Sequence, residues 1–279
     1  MTAETRQNTT KLFNVHAIST TVPLFNRRPF PQHLTTMARS KPSKPSKPQQ
    51  PAPSSPSSLP PWPKFKPPLP VVDLFPTSHP LTNKVVTLDA FFPRSLCRDY
   101  VAHLSALPLQ TTPGTPRRGD AVRVNDRLQT HDASFAAALW EKTGLREALL
   151  QDDVASLWGG EPIGLSPNIR VYRYTKGQFF DCHYDESNNV ALEADGKTVQ
   201  ARTTWTLLLY LTGVSEGCVG GETVFYPHDR QSEAEAICVS PQTGMLLLHK
   251  HGDDCLLHEG REVRAGEKWV LRTDLCIRR

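Results

Sequence analysis

His183-Tyr184-Asp185 sets an imidazole and a carboxylate two positions apart in a run of β-forming residues, so on a strand both side chains leave from one face. A second imidazole, His258, ends the run Cys255-Leu256-Leu257. Two His and one carboxylate make one triangular face of an octahedron and leave three positions open, which suits non-haem Fe(II). An HxD tripeptide alone also arises by chance in surface loops.

Lys268 adds weight to that set. It lies ten residues beyond His258, at the start of the last β-type run. From a barrel strand its ammonium reaches inward, where an unpaired buried charge is costly and asks for an anionic ligand. The competing reading is a surface lysine ahead of a strand. Arg272 is the reserve anchor: it shares the strand face of Lys268 but lies about 13 Å further along, so the two cannot grip one small carboxylate equally.

His249 and His251 compete with His258 for the second imidazole, and Arg261 follows His251 as Lys268 follows His258. Arg261 sits in a charged, glycine-containing turn, which leaves His258 the better placed. His249 and His251 are expected at the barrel rim or facing solvent, and His228 in a loop. Cys182 alternates away from the metal face, and both it and Cys255 read as ordinary buried thiols. The six cysteines form no CxxC pair and read as reduced.

The elements that must position these groups follow from periodicity. Helical stripes run through Arg94–Leu107 and Ser134–Trp158, and the polar segment Arg123–Arg127 between them reads as a loop, at the substrate entrance or simply solvated. After Pro167 come eight short β-type runs, at 168–174, 178–185, 203–212, 222–226, 236–240, 244–249, 254–258 and 268–277. In the third, Trp205, Leu207, Leu209 and Leu211 share one face, and Thr204, Thr206, Leu208 and Tyr210 the other. The expected fold is mostly β with supporting helices: a double-stranded β-helix, or jelly roll, at 166–279, with a helical support region at 73–165.

Taken in order, several pieces resemble the prolyl 4-hydroxylase-like branch of the Fe(II)- and 2-oxoglutarate-dependent dioxygenases. They are Tyr174-Thr-Lys-Gly-Gln-Phe-Phe-Asp-Cys-His183-Tyr-Asp185, Thr206-Leu-Leu-Leu-Tyr210, Gly220-Gly221-Glu222-Thr223, and His258 followed by Val263, Gly266, Lys268 and Trp269. The resemblance covers about 121–277. It implies Fe(II) on His183, Asp185 and His258, the distal carboxylate of 2-oxoglutarate on Lys268, and a cosubstrate pocket lined by Tyr174 and Thr206, with Tyr210 a further candidate. It also implies O2 as oxidant, L-ascorbate as reductant, and hydroxylation of a peptidyl prolyl residue or another substrate with release of succinate and CO2. Many prolyl hydroxylases carry Tyr three residues before the metal histidine. Here that position is Phe180, so one hydrogen bond to the cosubstrate is missing or comes from elsewhere.

Composition limits the alternatives. Residues 1–72 hold ten basic residues and one acidic one, and residues 41–70 contain twelve prolines and six serines. Such a stretch has too little apolar surface to offset the entropy of ordering, so 1–72 is expected to be a disordered tail, its opening compatible with a transit segment. The remaining 207 residues are weakly acidic, which argues against nucleic-acid binding by the folded domain. No run of 18 apolar residues exists, so no membrane span is expected. The expected partners are a protein, peptide or small-molecule substrate, and the expected setting is intracellular, in cytoplasm or nucleus, with the mitochondrion as the other address. From other classes come a non-catalytic 2-oxoglutarate- and metal-binding barrel acting as a sensor or interaction module, and a cupin-like metalloenzyme without 2-oxoglutarate.

Overall fold

A computed structural model describes residues 59–279 apart from 113, 115, 117–120 and 195. The expected transit-like segment and most of the Pro/Ser-rich stretch lie outside the described residues. The chain opens with β1 (Thr77–His79) and β2 (Thr82–Leu88), then α1 (Arg94–Ser105), β3 (Gln110–Thr111), β4 (Arg123–Val124) and β5 (Asp126–His131). Helices α2 (Ala133–Glu141) and α3 (Leu145–Leu149) lead to β6 (Pro162–Leu165), β7 (Asn168–Tyr174), β8 (Phe179–His183), β9 (Asn189–Ala194) and β10 (Lys197–Tyr210). After these come β11 (Val219–Gly220), β12 (Thr223–Tyr226), β13 (Ile237–Val239), β14 (Leu246–Lys250), β15 (Leu257–Gly260), β16 (Val263–Ala265) and β17 (Lys268–Arg278). Each of the eight expected runs overlaps one of these strands, and β10 begins six residues earlier than expected, at Lys197.

The strands form a major antiparallel sheet in the order β1-β2-β14-β10-β17-β7-β5-β3, with β6 beside β17 and β9 beside β10. A second sheet, β13-β12-β15-β8-β4, supplies the other wall of a jelly roll. The period-two pattern of β10 explains the layers. Trp205, Leu207, Leu209 and Leu211 enter a core shared with Leu96, Tyr100 and Leu104 of α1 and Phe135 and Leu139 of α2. Tyr210 faces the other way with Tyr172, Tyr174, Leu247, Phe225 and Val270, in the space between the sheets. Each large apolar side chain so buried contributes about 1.5–3 kcal/mol.

Three expectations change. Arg123–Arg127 is not a loop: β4 pairs with β8 and β5 with β7. Its polarity hid this because strands at a sheet margin satisfy their backbone in the ladder while their side chains stay polar. The 134–158 stripe breaks into α2, α3 and a short 3-10 turn at Ala155–Trp158, with Gly144 at φ 77° separating the two helices. Residues 59–72 pack on the body despite their prolines: Trp62 stacks on Phe135 with ring centroids 4.0 Å apart, and its Nε1 donates to Asp132 Oδ2 at 2.9 Å. Among the described residues no helix is long and apolar enough to cross a membrane.

Candidate metal centre and cosubstrate pocket

β8 and β15 are neighbours in register, and His183 stands directly opposite His258. Asp185 follows two residues past His183 and is 9% exposed. One nitrogen from each histidine and one oxygen of Asp185 lie within 4.8 Å of one another. The tautomers suit a metal. His183 Nδ1 lies 2.8 Å from the Asp181 carbonyl and His258 Nδ1 lies 2.9 Å from the Leu256 carbonyl. A carbonyl only accepts, so both Nδ1 atoms carry the proton and both Nε2 lone pairs are free. Those Nε2 atoms stand 3.9 Å and 3.8 Å from Asp185 oxygens. A divalent cation fits this donor set.

Electrostatics agree with that chemistry. Burial, helped by His258, pushes His183 down to about 3. Burial also lowers His258. Both rings are therefore neutral near pH 7, as ligands must be. Burial opposes ionisation of Asp185, but Arg272 and the neighbouring imidazoles outweigh it and hold the carboxyl well below the usual range.

Arg272 on β17 is committed at the metal end. Its Nη1 donates to Asp185 Oδ1 at 3.1 Å and its Nη2 lies 2.9 Å from Oδ2. Thr206 donates to Oδ2 at 2.9 Å, so it too holds the carboxylate of the donor set. His251 Nδ1 is 3.0 Å from the Thr206 hydroxyl, and its Nε2 is 3.0 Å from that of Thr203. His249 is 2% exposed, with Nε2 3.6 Å from Asp185 Oδ2. The expected rim or solvent position of these two histidines is thus corrected. Alternation along β14 puts His249 on the face of Leu247, toward the interior, and strand pairing with β10 buries it.

Lys268 is buried at the far end, 5% exposed. Its Nζ donates to the Gly221 carbonyl at 2.6 Å and sits 5.5 Å and 5.4 Å from the ring centroids of Tyr174 and Tyr210. Among the described residues no carboxylate pairs with it, and burial pushes its pKa down to about 8. Gly221 adopts φ +70°, and a Cβ there would fall 3.1 Å from Lys268 Cδ, so glycine leaves room for the lysine stem. Tyr210 and Thr223 share a 2.7 Å hydrogen bond between their hydroxyls. Burial raises Tyr174 and Tyr210 above the ordinary phenol range. Phe180 lies flat on His183, with centroids 3.6 Å apart. Tyr174, Phe180, His183, Asp185, His258, Lys268 and Arg272 all line one cavity, with His249 and Thr223 among its walls. The part of Thr223 and Gly221 was legible in Gly220-Gly221-Glu222-Thr223; that of His249 was legible in the alternation of β14.

Residues 169–273 match the model of the 2OG-Fe(II) oxygenase superfamily. They form a 2OG-Fe(II) oxygenase domain. Its family works with Fe(II), 2-oxoglutarate and O2, and both proposed ends of the pocket fall inside the matched span. A stretch of 138 residues is 32% identical to prolyl 4-hydroxylase 2 of Arabidopsis thaliana, covering 42% of this chain and 44% of that protein. Another of 169 residues is 30% identical to probable prolyl 4-hydroxylase 9 of the same plant, covering 55% of each. The chain thus spans about half the length of the curated relatives it matches. A Pseudomonas putida prolyl-4-hydroxylase structure aligns at 19% identity and TM-score 0.48, over 71% of this chain and 95% of that one. A viral collagen prolyl hydroxylase from Paramecium Bursaria Chlorella virus-1, in its 2OG complex, aligns at 17% identity and TM-score 0.43, over 70% and 96%. The matched family is one of oxidoreductases.

Proposed function

We propose that this protein hydroxylates a peptidyl prolyl residue, with Fe(II) held by His183, Asp185 and His258 and the distal carboxylate of 2-oxoglutarate held by Lys268. The observation that carries the reading is the pairing of a convergent two-His, one-carboxylate donor set with a buried ammonium that has no carboxylate partner among the described residues, at the other end of the same cavity. The curated prolyl 4-hydroxylases matched above support proline as the oxidised residue.

When bound, iron and 2-oxoglutarate supply the oxidative chemistry: one oxygen atom of O2 goes to the substrate carbon and the other to succinate as CO2 leaves. The chain's own residues prepare the site. The carbonyls of Asp181 and Leu256 hold the two imidazoles in the ligating tautomer. Arg272 and Thr206 fix the rotation of the Asp185 carboxylate, which with His183 and His258 would hold the Fe(II). Lys268 gives the cosubstrate one orientation, with Tyr174 and Tyr210 walling its path from water. L-ascorbate serves as reductant in this reading. The support region 73–165 and the core 166–279 act together, since β2 and β5 lie in the major sheet.

The test is the full chain incubated with Fe(II), ascorbate, 2-oxoglutarate and proline-containing peptides, read as succinate and as a gain of one oxygen by mass spectrometry. His183→Ala, Asp185→Ala and His258→Ala are expected to reduce turnover to background. Full succinate formation by Asp185→Ala would overturn the assignment.

A further inference from the structure

A second set of metal-type donors shares one residue with the first. His249, Cys255 and His258 each offer one ligand atom, and these atoms lie within 4.8 Å of one another. All three residues are buried, with His249 2%, His258 4% and Cys255 8% exposed. The set bridges the two walls of the jelly roll, since His249 lies on β14 in the major sheet and His258 on β15 in the second. The two imidazole rings stand 4.5 Å apart by their centroids, and Cys255 Sγ lies 3.8 Å from His258 Nδ1. His249 lines the cavity, and among the described residues its Nδ1 has no hydrogen-bond partner. Its Nε2, 3.6 Å from Asp185 Oδ2, is beyond hydrogen-bond reach. A further group, Asp181, Cys182 and Glu259, is already engaged: Gln231 donates to Cys182 Sγ at 2.8 Å, and the Tyr226 hydroxyl donates to Glu259 at 2.6 Å.

A buried imidazole nitrogen without a partner is costly, and coordination to an ion satisfies it. Two imidazoles and a thiolate are ligands that zinc favours. Sulfur selects the softer ion, whereas the carboxylate of the His183, Asp185 and His258 set suits Fe(II). We propose that His249, Cys255 and His258 form a second metal site that takes Zn(II), with three protein ligands and a fourth position left over. Binding forms the sulfur–zinc bond and releases the thiol proton to solvent. His258 belongs to both sets, so an ion held on Cys255 takes an imidazole away from the iron set, and the two ions exclude each other. The zinc site stands apart from the function proposed above; only its effect on iron rests on that reading.

The experiment titrates the full chain, dialysed against a chelator, with Co(II) as the spectroscopic stand-in for Zn(II). A thiolate ligand gives a sulfur-to-cobalt charge-transfer band in the near ultraviolet, which imidazoles and a carboxylate do not. The wild-type chain is expected to show that band and to lose it as Zn(II) is added. Cys255→Ser is expected to abolish the band. It is also expected to weaken Zn(II) binding, measured against a chromophoric chelator, by more than the about tenfold to hundredfold that loss of an outer partner costs. His249→Phe keeps an aromatic ring beside Phe225 and is expected to weaken Zn(II) binding likewise, which carries the test if circular dichroism shows Cys255→Ser unfolded. His183→Ala and Cys182→Ser, both outside the set, are expected to keep the band. Absence of the band in the wild-type chain overturns the site, and so does a band that survives Cys255→Ser or disappears with His183→Ala. Excess Fe(II), added without oxygen, is expected to diminish the wild-type band; a band at full height with iron bound overturns the mutual exclusion.

Discussion

Arg272 holds Asp185 by both oxygens, in a two-pronged grip 3.1 Å and 2.9 Å long. The same guanidinium lies 3.5 Å from Asp274, which Arg170 also reaches at 3.3 Å. The Asp185 carboxylate is therefore one corner of a buried charge network that sets its rotation. Replacing Arg272 with Leu leaves Asp185 buried and unneutralised. The expected loss is about 3–5 kcal/mol of folding stability, since removing one partner of a buried pair strands the other. Chemical denaturation measures it; a midpoint within error of wild type would show that the grip is ornamental. Arg272→Lys keeps the charge but not the fork, and is expected to fall between the two.

Lys268 gives a pH signature. Its ordinary pKa is 10.5, and burial brings it to about 8 in the folded chain. Only the protonated ammonium attracts the cosubstrate's carboxylate, so the charge is present below pH 8 and is lost as pH rises through it. The KM for 2-oxoglutarate is expected to be flat up to about pH 8 and then to climb about tenfold per unit. Lys268→Arg, which stays charged, is expected to remove the climb; Lys268→Ala is expected to raise KM at every pH. A wild-type KM that is level to pH 10 would exclude Lys268 as the anchor.

Gly221 is expected to tolerate no side chain. At φ +70° an alanine is strained, and its Cβ would meet Val263 Cγ2 at 3.0 Å and Lys268 Cδ at 3.1 Å. Gly221→Ala is expected to cost about 1–2 kcal/mol from the left-handed backbone alone. It should also raise the KM for 2-oxoglutarate by displacing the lysine stem. Calorimetric unfolding and a cosubstrate titration separate the two effects.

Trp62 tests whether the proline-rich approach to the body is structural. It stacks on Phe135, donates to Asp132, and neighbours Tyr100, whose hydroxyl bonds the Pro63 carbonyl at 3.1 Å. Trp62→Ala is expected to cost about 2 kcal/mol, below the range for a fully buried tryptophan because the ring is only partly covered. A Tm unchanged in the full chain would show that residues 59–72 contribute nothing to the fold.

Much of this protein was legible in one dimension. The order of His183, Asp185, His258 and Lys268 is a sequence property, and so is the alternation that sends Trp205, Leu207 and Leu209 to the helices and Tyr210 to the pocket. Both work because a strand's two faces are decided residue by residue, by local geometry that needs no partner. The cost of burying an ammonium likewise pointed from Lys268 to an anion before any neighbour was known.

Only the tertiary structure decided which of the two strand-sharing cations has a carboxylate partner among the described residues. Arg272 and Lys268 look alike along β17, and the difference lies in Asp185, 87 residues away and brought to one of them by the meeting of two sheets. The burial of His249 and His251 was settled the same way, by the pairing of β14 with β10, and so was the pairing of a polar segment at 123–127. The energy of a charge or a donor depends on what the fold packs against it, and that partner is set by contacts between stretches far apart in the chain.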